Sequence, residues 1–229
     1  DYEKMNFLVR KTHKYLSFFI SLQLLLWTIS GIYFAFNKIE LVRGEQYLNH
    51  LETSFDLSKL DFEIEKAKEV EFKKRLGTEI VIIKTKDATR YLNMLGQPLT
   101  KISMEDAMAS VLTQTTLIPF ATEEIVNEKS GSEYRGRSLP IYRVKSKNAK
   151  GTELNVYINV YSAEVVAIRS NKWKIWDLMW GFHIMDWKER DNIDNILLKI
   201  FSILALVSSV TGIMLFFKID FKDVPKSTR

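Results

Sequence analysis

Two stretches without a single charged residue constrain this chain most: Tyr15–Phe36, 22 residues, and Ile200–Phe217, 18 residues. As helices they would span about 33 Å and about 27 Å, against a hydrocarbon core of roughly 30 Å. Ile196, Leu197 and Leu198 extend the second run, and Lys199 among them can snorkel to the interface. Membrane-spanning helices are therefore expected at 15–36 and 193–217. The first run is too long for the apolar core of a signal peptide, and no Ala-x-Ala-like site follows it, so it reads as an uncleaved anchor.

Charge then orients the spans. Residues 1–14 carry Lys4, Arg10, Lys11 and Lys14 against Asp1 and Glu3, a net +2. Residues 218–229 carry Lys218, Lys222, Lys226 and Arg229 against Asp220 and Asp223, again +2. The chain holds 33 Lys+Arg and 28 Asp+Glu, so 25 and 24 remain for the middle, only +1. Basic short flanks put both termini in the cytoplasm and residues 38–192 on the far side. The basic excess is thus a topology signal and not a stripe for nucleic acid.

There is no cysteine, which removes Cys-ligated zinc, iron–sulfur clusters, thiol catalysis and covalent c-type haem. No flavin, nicotinamide or nucleotide site is visible. Gly131–Ser138 nearly spells a phosphate-binding loop, but a strand follows it where such a loop must open a helix. Four of the five tryptophans, Trp173, Trp176, Trp180 and Trp187, precede the second span. Helical spacing puts them on one face, so residues 171–192 read as a helix lying in the membrane interface.

Between the spans the order reads helix, strand, strand, twice over. Leu57, Leu60, Ile64 and Ala67 have helical spacing over Leu57–Lys68, followed by strands at Glu79–Lys86 and Thr89–Leu95. Ser103 with Asp106 is a capping pair that opens a helix over Met104–Gln114. After a looser stretch at Glu128–Ser138, strands are expected at Pro140–Lys147, Glu153–Tyr161 and Glu164–Arg169. Ile80–Asp87 aligns with Ile141–Asn148, and Tyr91-Leu92-Asn93 with Tyr157-Ile158-Asn159. These matches imply a duplicated unit, with repeats at 37–100 and 101–170. The fold class expected is an integral membrane α+β protein with two transmembrane helices flanking a duplicated α-β-β extracytoplasmic domain.

Leu139–Ile168 resembles the PepSY domain, whose ending reads "YrV…dG…vyvDa.tGevl". Arg10–Phe36 and Trp176–Phe217 resemble the membrane segments of PepSY-associated transmembrane proteins. The most specific pieces are Arg10 and His13 with Ser30-Gly31, and His183-Ile184-Met185-Asp186 with Thr211-Gly212. Two positions depart from the pattern: Asn159 stands at the Asp and Ala163 at the Gly of the PepSY ending. Larger relatives carry four membrane helices where two are expected here. The resemblance implies a bacterial inner-membrane protein that holds b-type haem on histidines and takes part in reducing extracytoplasmic ferric compounds for iron uptake.

The chain has three histidines, His13, His50 and His183. Neutral imidazole is a haem axial ligand, and helix bundles present such ligands on facing helices. His13 belongs at the cytoplasmic end of the first span and His183 at the outer end of the second, about 30 Å apart across the bilayer, so they do not share an iron. A homodimer would pair His13 with His13 and His183 with His183; His50 against His183 is the alternative. In the dimer Arg10, Lys11 and Lys14 would meet the inner haem propionates and Arg190 the outer ones. Asp186, Arg190 and Asp191 read as a polar cluster around His183.

Stripes of mostly small residues, Ser17, Ser21, Thr28, Gly31 and Ala35 with Leu24 at the same 4-3 spacing, and Ser202, Ala205, Ser209 and Gly212, suggest the faces on which the two helices pair. Two functions stay open at this point. One is a haem b electron-transfer subunit, an oxidoreductase of the ferric-chelate reductase type if it is an enzyme at all. The other is a non-catalytic, membrane-anchored PepSY module that binds a periplasmic protein partner. The expected partners are membrane lipid and either a second copy or a larger membrane complex.

Overall fold

The computed structural model describes residues 2–50 and 54–220. The chain divides into two compact units, Lys38–Ile175 and a pair of segments, Asp1–Asn37 with Trp176–Arg229. Asp1, Lys222, Asp223, Lys226 and Arg229, which enter the topology argument, lie outside the described residues.

The Lys38–Ile175 unit holds two antiparallel sheets, after a four-residue helix α2 (Ile39–Val42). Strands β1 (Glu69–Arg75), β2 (Thr78–Lys84) and β3 (Thr89–Asn93) form the first in the order β1-β2-β3. Leu76 and Gly77 join β1 to β2, both with positive φ, as the tight turn of a two-residue hairpin requires. Val81, Ile83 and Met94 form this sheet's core, packed by Leu60, Phe62, Ile64, Val70, Phe72 and Leu92.

The helix expected over Leu57–Lys68 does not form. Only Leu57–Lys59 makes a 3-10 turn, capped by the Asp56 carboxylate on the Ser58 N–H. From Leu60 the chain is extended: Leu60, Phe62 and Ile64 face the sheet while Asp61, Glu63 and Glu65 are exposed. The operative period is two, and acidic residues at alternate positions suit a strap over a sheet better than a helix face.

The second sheet, β4 (Ile118–Ile125), β5 (Ile141–Lys147), β6 (Glu153–Asn159) and β7 (Val165–Arg169), has the order β4-β5-β6-β7. Helix α3 (Met104–Gln114) covers one face, opened by a full capping box between Ser103 and Asp106. Ala107 and Val111 of α3 join Val144, Leu154, Val156, Ile158 and Ile168 in a core closed to solvent. Tyr157, Ile141 and Ala167 point the other way, where Tyr134 of the Glu128–Ser138 loop and Leu139 just after it lie over them. That loop is therefore a lid on a sheet face, and β5 follows it, as the phosphate-loop argument anticipated.

Strands β1 and β4 were not legible in the sequence. Each lies at a sheet edge, β1 alternating Val70 and Phe72 with charges and β4 carrying Pro119 beside a bulge. The internally similar stretches fall on equivalent strands, β2 with β5 and β3 with β6. Asn93 and Asn159 end those third strands alike: Asn93 Oδ1 accepts from the N–H of Leu95 and Gln97, Asn159 Oδ1 from Tyr161 and Ser162. Asn159 thus holds its turn as an aspartate would, and Ala163 takes the positive φ (60°) that a glycine adopts without strain.

Gly44 gives the first testable result. It is buried with φ 78°, and a Cβ there would lie 2.7 Å from Cγ2 of the core residue Ile168. Left-handed strain and overpacking together are expected to cost Gly44→Ala about 3 kcal/mol. Urea unfolding of the full chain in detergent reads this, and an unchanged midpoint would refute the packing argument.

In the other unit, α1 (Tyr2–Phe36) and α5 (Ile196–Asp220) run antiparallel and are joined by polar and aromatic contacts. Ser17 and Ser208 share a 2.8 Å hydroxyl bond, and Phe19 stacks on Phe201 at 5.8 Å. Phe7–Phe36 and Ile196–Phe217 are long and apolar enough to cross a membrane. The molecule is thus an α+β protein with a candidate membrane helix on either side of a sheet-containing domain. Residues 2–14, assigned to a flank by sequence, continue the same helix.

The pairing face takes only part of the small-residue stripes, Ser17 on α1 and Gly212 on α5. On α1 it consists of His13, Ser17, Ile20, Gln23, Trp27, Ser30 and Phe34, whereas Ser21, Leu24, Thr28 and Ala35 are exposed. On α5 it carries Ser208, Thr211 and Gly212, whereas Ser202 and Ser209 are exposed. The reason is hydrogen bonding. Ser21, Thr28, Ser202 and Ser209 each donate to a carbonyl of their own helix, at Phe18, Leu24, Leu198 and Ala205, and so can face lipid. His13 and Gln23 need partners from elsewhere, and they take the interface.

Candidate functional site

Helix α4 (Asn171–Ile184) ends in a Schellman turn: Met185 has φ 57° and the Asp186 N–H bonds to the Gly181 carbonyl at 3.0 Å. Its last carbonyls do not stay orphaned. Gln23 Nε2 donates to Phe182 O (3.2 Å), Trp27 Nε1 to His183 O (2.7 Å) and Asn195 Nδ2 to Ile184 O (2.8 Å). Side chains of α1 and of the residue preceding α5 therefore cap α4, and this locks His183 in place.

The His183 ring lies against Trp180, stacked at 6.2 Å, and edge-on to Phe34 at 5.6 Å. Its Nδ1 is 2.8 Å from Ser30 Oγ, and Ser30 Oγ donates to the Trp27 carbonyl at 3.0 Å. With the Ser30 proton on the Trp27 carbonyl, His183 donates from Nδ1 to Ser30; with that proton turned to Nδ1, the imidazole proton sits on Nε2. The first arrangement is the Nδ1–H tautomer, which leaves the lone pair on Nε2. Burial pushes the His183 pKa down, which favours the neutral ring.

His13 takes the Nδ1–H form through different partners. Its Nδ1 is 3.1 Å from the Ser208 carbonyl and 3.1 Å from Thr211 Oγ1. A carbonyl only accepts, so Nδ1 carries the proton and Nε2 the lone pair. The ring rests on Gly212, where a Cβ would lie 3.1 Å from its Cε1. His13 and Ser30 are 17 residues apart on one helix, about 25 Å by the helical rise, so the two imidazoles are separate centres.

The remaining candidates divide. Arg10 is exposed, one turn before His13. Arg190 is drawn onto α4: its Nη1 donates to Asp177 at 2.9 Å, and its aliphatic stem covers Gly181. The Asp177 side chain is 2% exposed. Asp186 does not touch His183; its carboxylate accepts the N–H groups of Glu189, Asp191 and Asn192 and so shapes the loop. Burial raises the Asp186 pKa, but those backbone bonds outweigh it and hold the carboxyl below its ordinary range.

The four tryptophans do not all share one helix face, because α4 ends at Ile184, before Trp187. Trp176 and Trp180 stack at 5.6 Å and pack on Phe34, Trp187 lies beyond the helix and is exposed, and Trp173 belongs to the sheet-containing unit. There it is stacked by the guanidinium groups of Arg135 and Arg169. His50 is an exposed residue of that same unit. Among the described residues no group of three or more His, Asp and Glu could hold a metal ion. Sequence reading missed Trp27, Gln23 and Phe34; the signal for them was the 3–4 spacing from His13 through Ser17, Ile20, Gln23, Trp27, Ser30 and Phe34.

No family model, no curated protein and no solved structure matches this chain.

Proposed function

We propose that this chain is a PepSY-type bacterial inner-membrane protein that binds haem b through His13 and His183 and relays electrons toward extracytoplasmic ferric compounds. One observation carries the proposal: Nδ1 of each imidazole is held by an oxygen, the Ser208 carbonyl at His13 and the Ser30 hydroxyl at His183, an arrangement that suits a lone pair on Nε2. A tied Nδ1–H that orients the ring is the usual outer support of a metal-ligating histidine. The donor set fits haem, for Gly212 removes side-chain bulk beside His13 and aromatic rings flank His183. Haem iron, when bound, carries single electrons between its ferric and ferrous states.

The chain's own residues supply the rest. Nε2 of His13 and of His183 would each hold a haem iron, at two separate levels of α1. Each level offers one imidazole per chain, so a second copy completes both. Arg10, Lys11 and Lys14 stand on the His13 side for propionates. Arg190 serves the His183 side while tethered to Asp177. The equivalent ladders and the matching Asn93 and Asn159 turns favour a duplicated PepSY-like domain.

The second reading, an anchored module that binds a periplasmic protein, is favoured by edge strand β4, where Ile118 and Phe120 are exposed. One experiment separates the two. The full chain, purified in detergent from haem-supplied cells, is expected to show a dithionite-reduced α-band. His13→Ala and His183→Ala should each remove about half of it and the double variant all of it. A colourless wild type rejects the haem proposal and leaves the binding module.

A further inference from the structure

The candidate span Phe7–Phe36 has 30 residues, about 45 Å of helix, which exceeds a hydrocarbon core of roughly 30 Å. Which part of α1 is in lipid is therefore decided by what lies beside it. Three pairings give the level of α5: His13 with Ser208 and Thr211, Ser17 with Ser208, and Phe19 with Phe201. Two more give the level of the end of α4: Gln23 with Phe182 and Trp27 with His183. Asn195, just before α5, bonds back to Ile184. The loop between α4 and α5 thus leaves and returns at the level of Gln23–Trp27.

That loop carries Asp186, Lys188, Glu189, Arg190, Asp191 and Asp194, six charges within nine residues. Charges of that density do not lie in hydrocarbon. We infer that the lipid-facing band of this protein is Phe7–Trp27 of α1 with Ile196–Phe217 of α5, and that Thr28–Phe36, with Trp176 and Trp180, stand at and beyond the outer headgroups. Each stretch of the band is about 30 Å long, a match to the hydrocarbon that 15–36 and 196–217 do not achieve side by side. Arg10, Lys11 and Lys14 then lie about 5–10 Å above Phe7 and must reach the inner lipid phosphates. The Lys11 ammonium already leans one turn toward the N-terminus, over the Phe7 ring at 5.9 Å.

This inference rests on the membrane location alone and is independent of haem. The natural chain lacks cysteine, so single-cysteine variants test it directly. Leu22→Cys and Ile32→Cys, both at exposed positions of α1, are made in the full chain, labelled in detergent with bimane, and reconstituted into vesicles containing brominated phosphatidylcholine. Bromine in the acyl chains is expected to quench the label at residue 22 several-fold more than that at residue 32. Equal strong quenching at both would overturn the inference and restore a 15–36 span. Quenching at neither would overturn the membrane reading itself, a result distinguishable from any haem spectrum.

Discussion

Asp177→Leu is expected to be the most damaging single change in the helical unit. The Asp177 carboxylate is almost wholly buried and takes the Arg190 Nη1 hydrogen bond at 2.9 Å. The Arg190 side chain is 29% exposed, so removing the buried carboxylate leaves a partly solvated charge behind, which costs about 3 kcal/mol, the low end for a broken buried pair. Arg190 has φ 59° and folds its stem over Gly181, so this pair fastens the loop back onto α4 two residues before His183. Thermal unfolding of the detergent-purified chain should show the loss. The double variant Asp177→Leu with Arg190→Met removes both charges and should recover most of it. A single variant as stable as wild type would mean that the pair holds nothing.

The second large effect belongs to the sheet-containing unit. Glu133, in the loop over the second sheet, accepts from Asn155 at 2.7 Å and from the Tyr157 hydroxyl at 3.0 Å, and pairs with Lys174 at 3.2 Å. Tyr157 is fully buried, so Glu133→Ala strands its hydroxyl along with the Asn155 amide, at a cost of about 2–4 kcal/mol. The charge has a pH signature. Burial raises the Glu133 pKa, yet the bonds from Asn155, Tyr157 and Lys174 outweigh it and hold the carboxyl below its usual range. A depressed acid stabilises the fold above its unfolded pKa, about 4.3, and that contribution is lost as pH falls below it. Urea midpoints between pH 7 and pH 3.5 should fall less for Glu133→Gln than for wild type. Parallel pH profiles would show that the carboxylate contributes no charge-dependent stability.

The elements that were legible are those whose local pattern agrees with their surroundings. The α3 capping box needs only Ser103 and Asp106, three residues apart, and the helix followed at the expected bounds. Strand β2 is dense in β-branched residues, β5, β6 and β7 alternate as strands facing a core do, and β3 is closed by the turn residues Gly96 and Pro98. Segment 57–68 misled because four apolar residues at helical spacing coexist with an alternating set, and only the sheet beneath could choose between them. The histidines were visible as rare residues. Their Nδ1 partners were not, since Ser208 and Ser30 lie 195 and 153 residues away along the chain.

What the sequence determined alone was the presence of two apolar helices around an α+β domain, because length, charge and hydropathy are additive along a chain. It also marked His13 and His183 as the residues to examine. Tertiary structure decided which faces pair, since a serine bonded to its own helix can point to lipid while His13 and Gln23 cannot. It decided that Arg190 is tied to Asp177 and that Trp27 and Ser30 hold His183. It also set the level at which a charged loop meets α1. These are matters of partner and register between distant segments, and unsatisfied polar groups in a medium without water settle them.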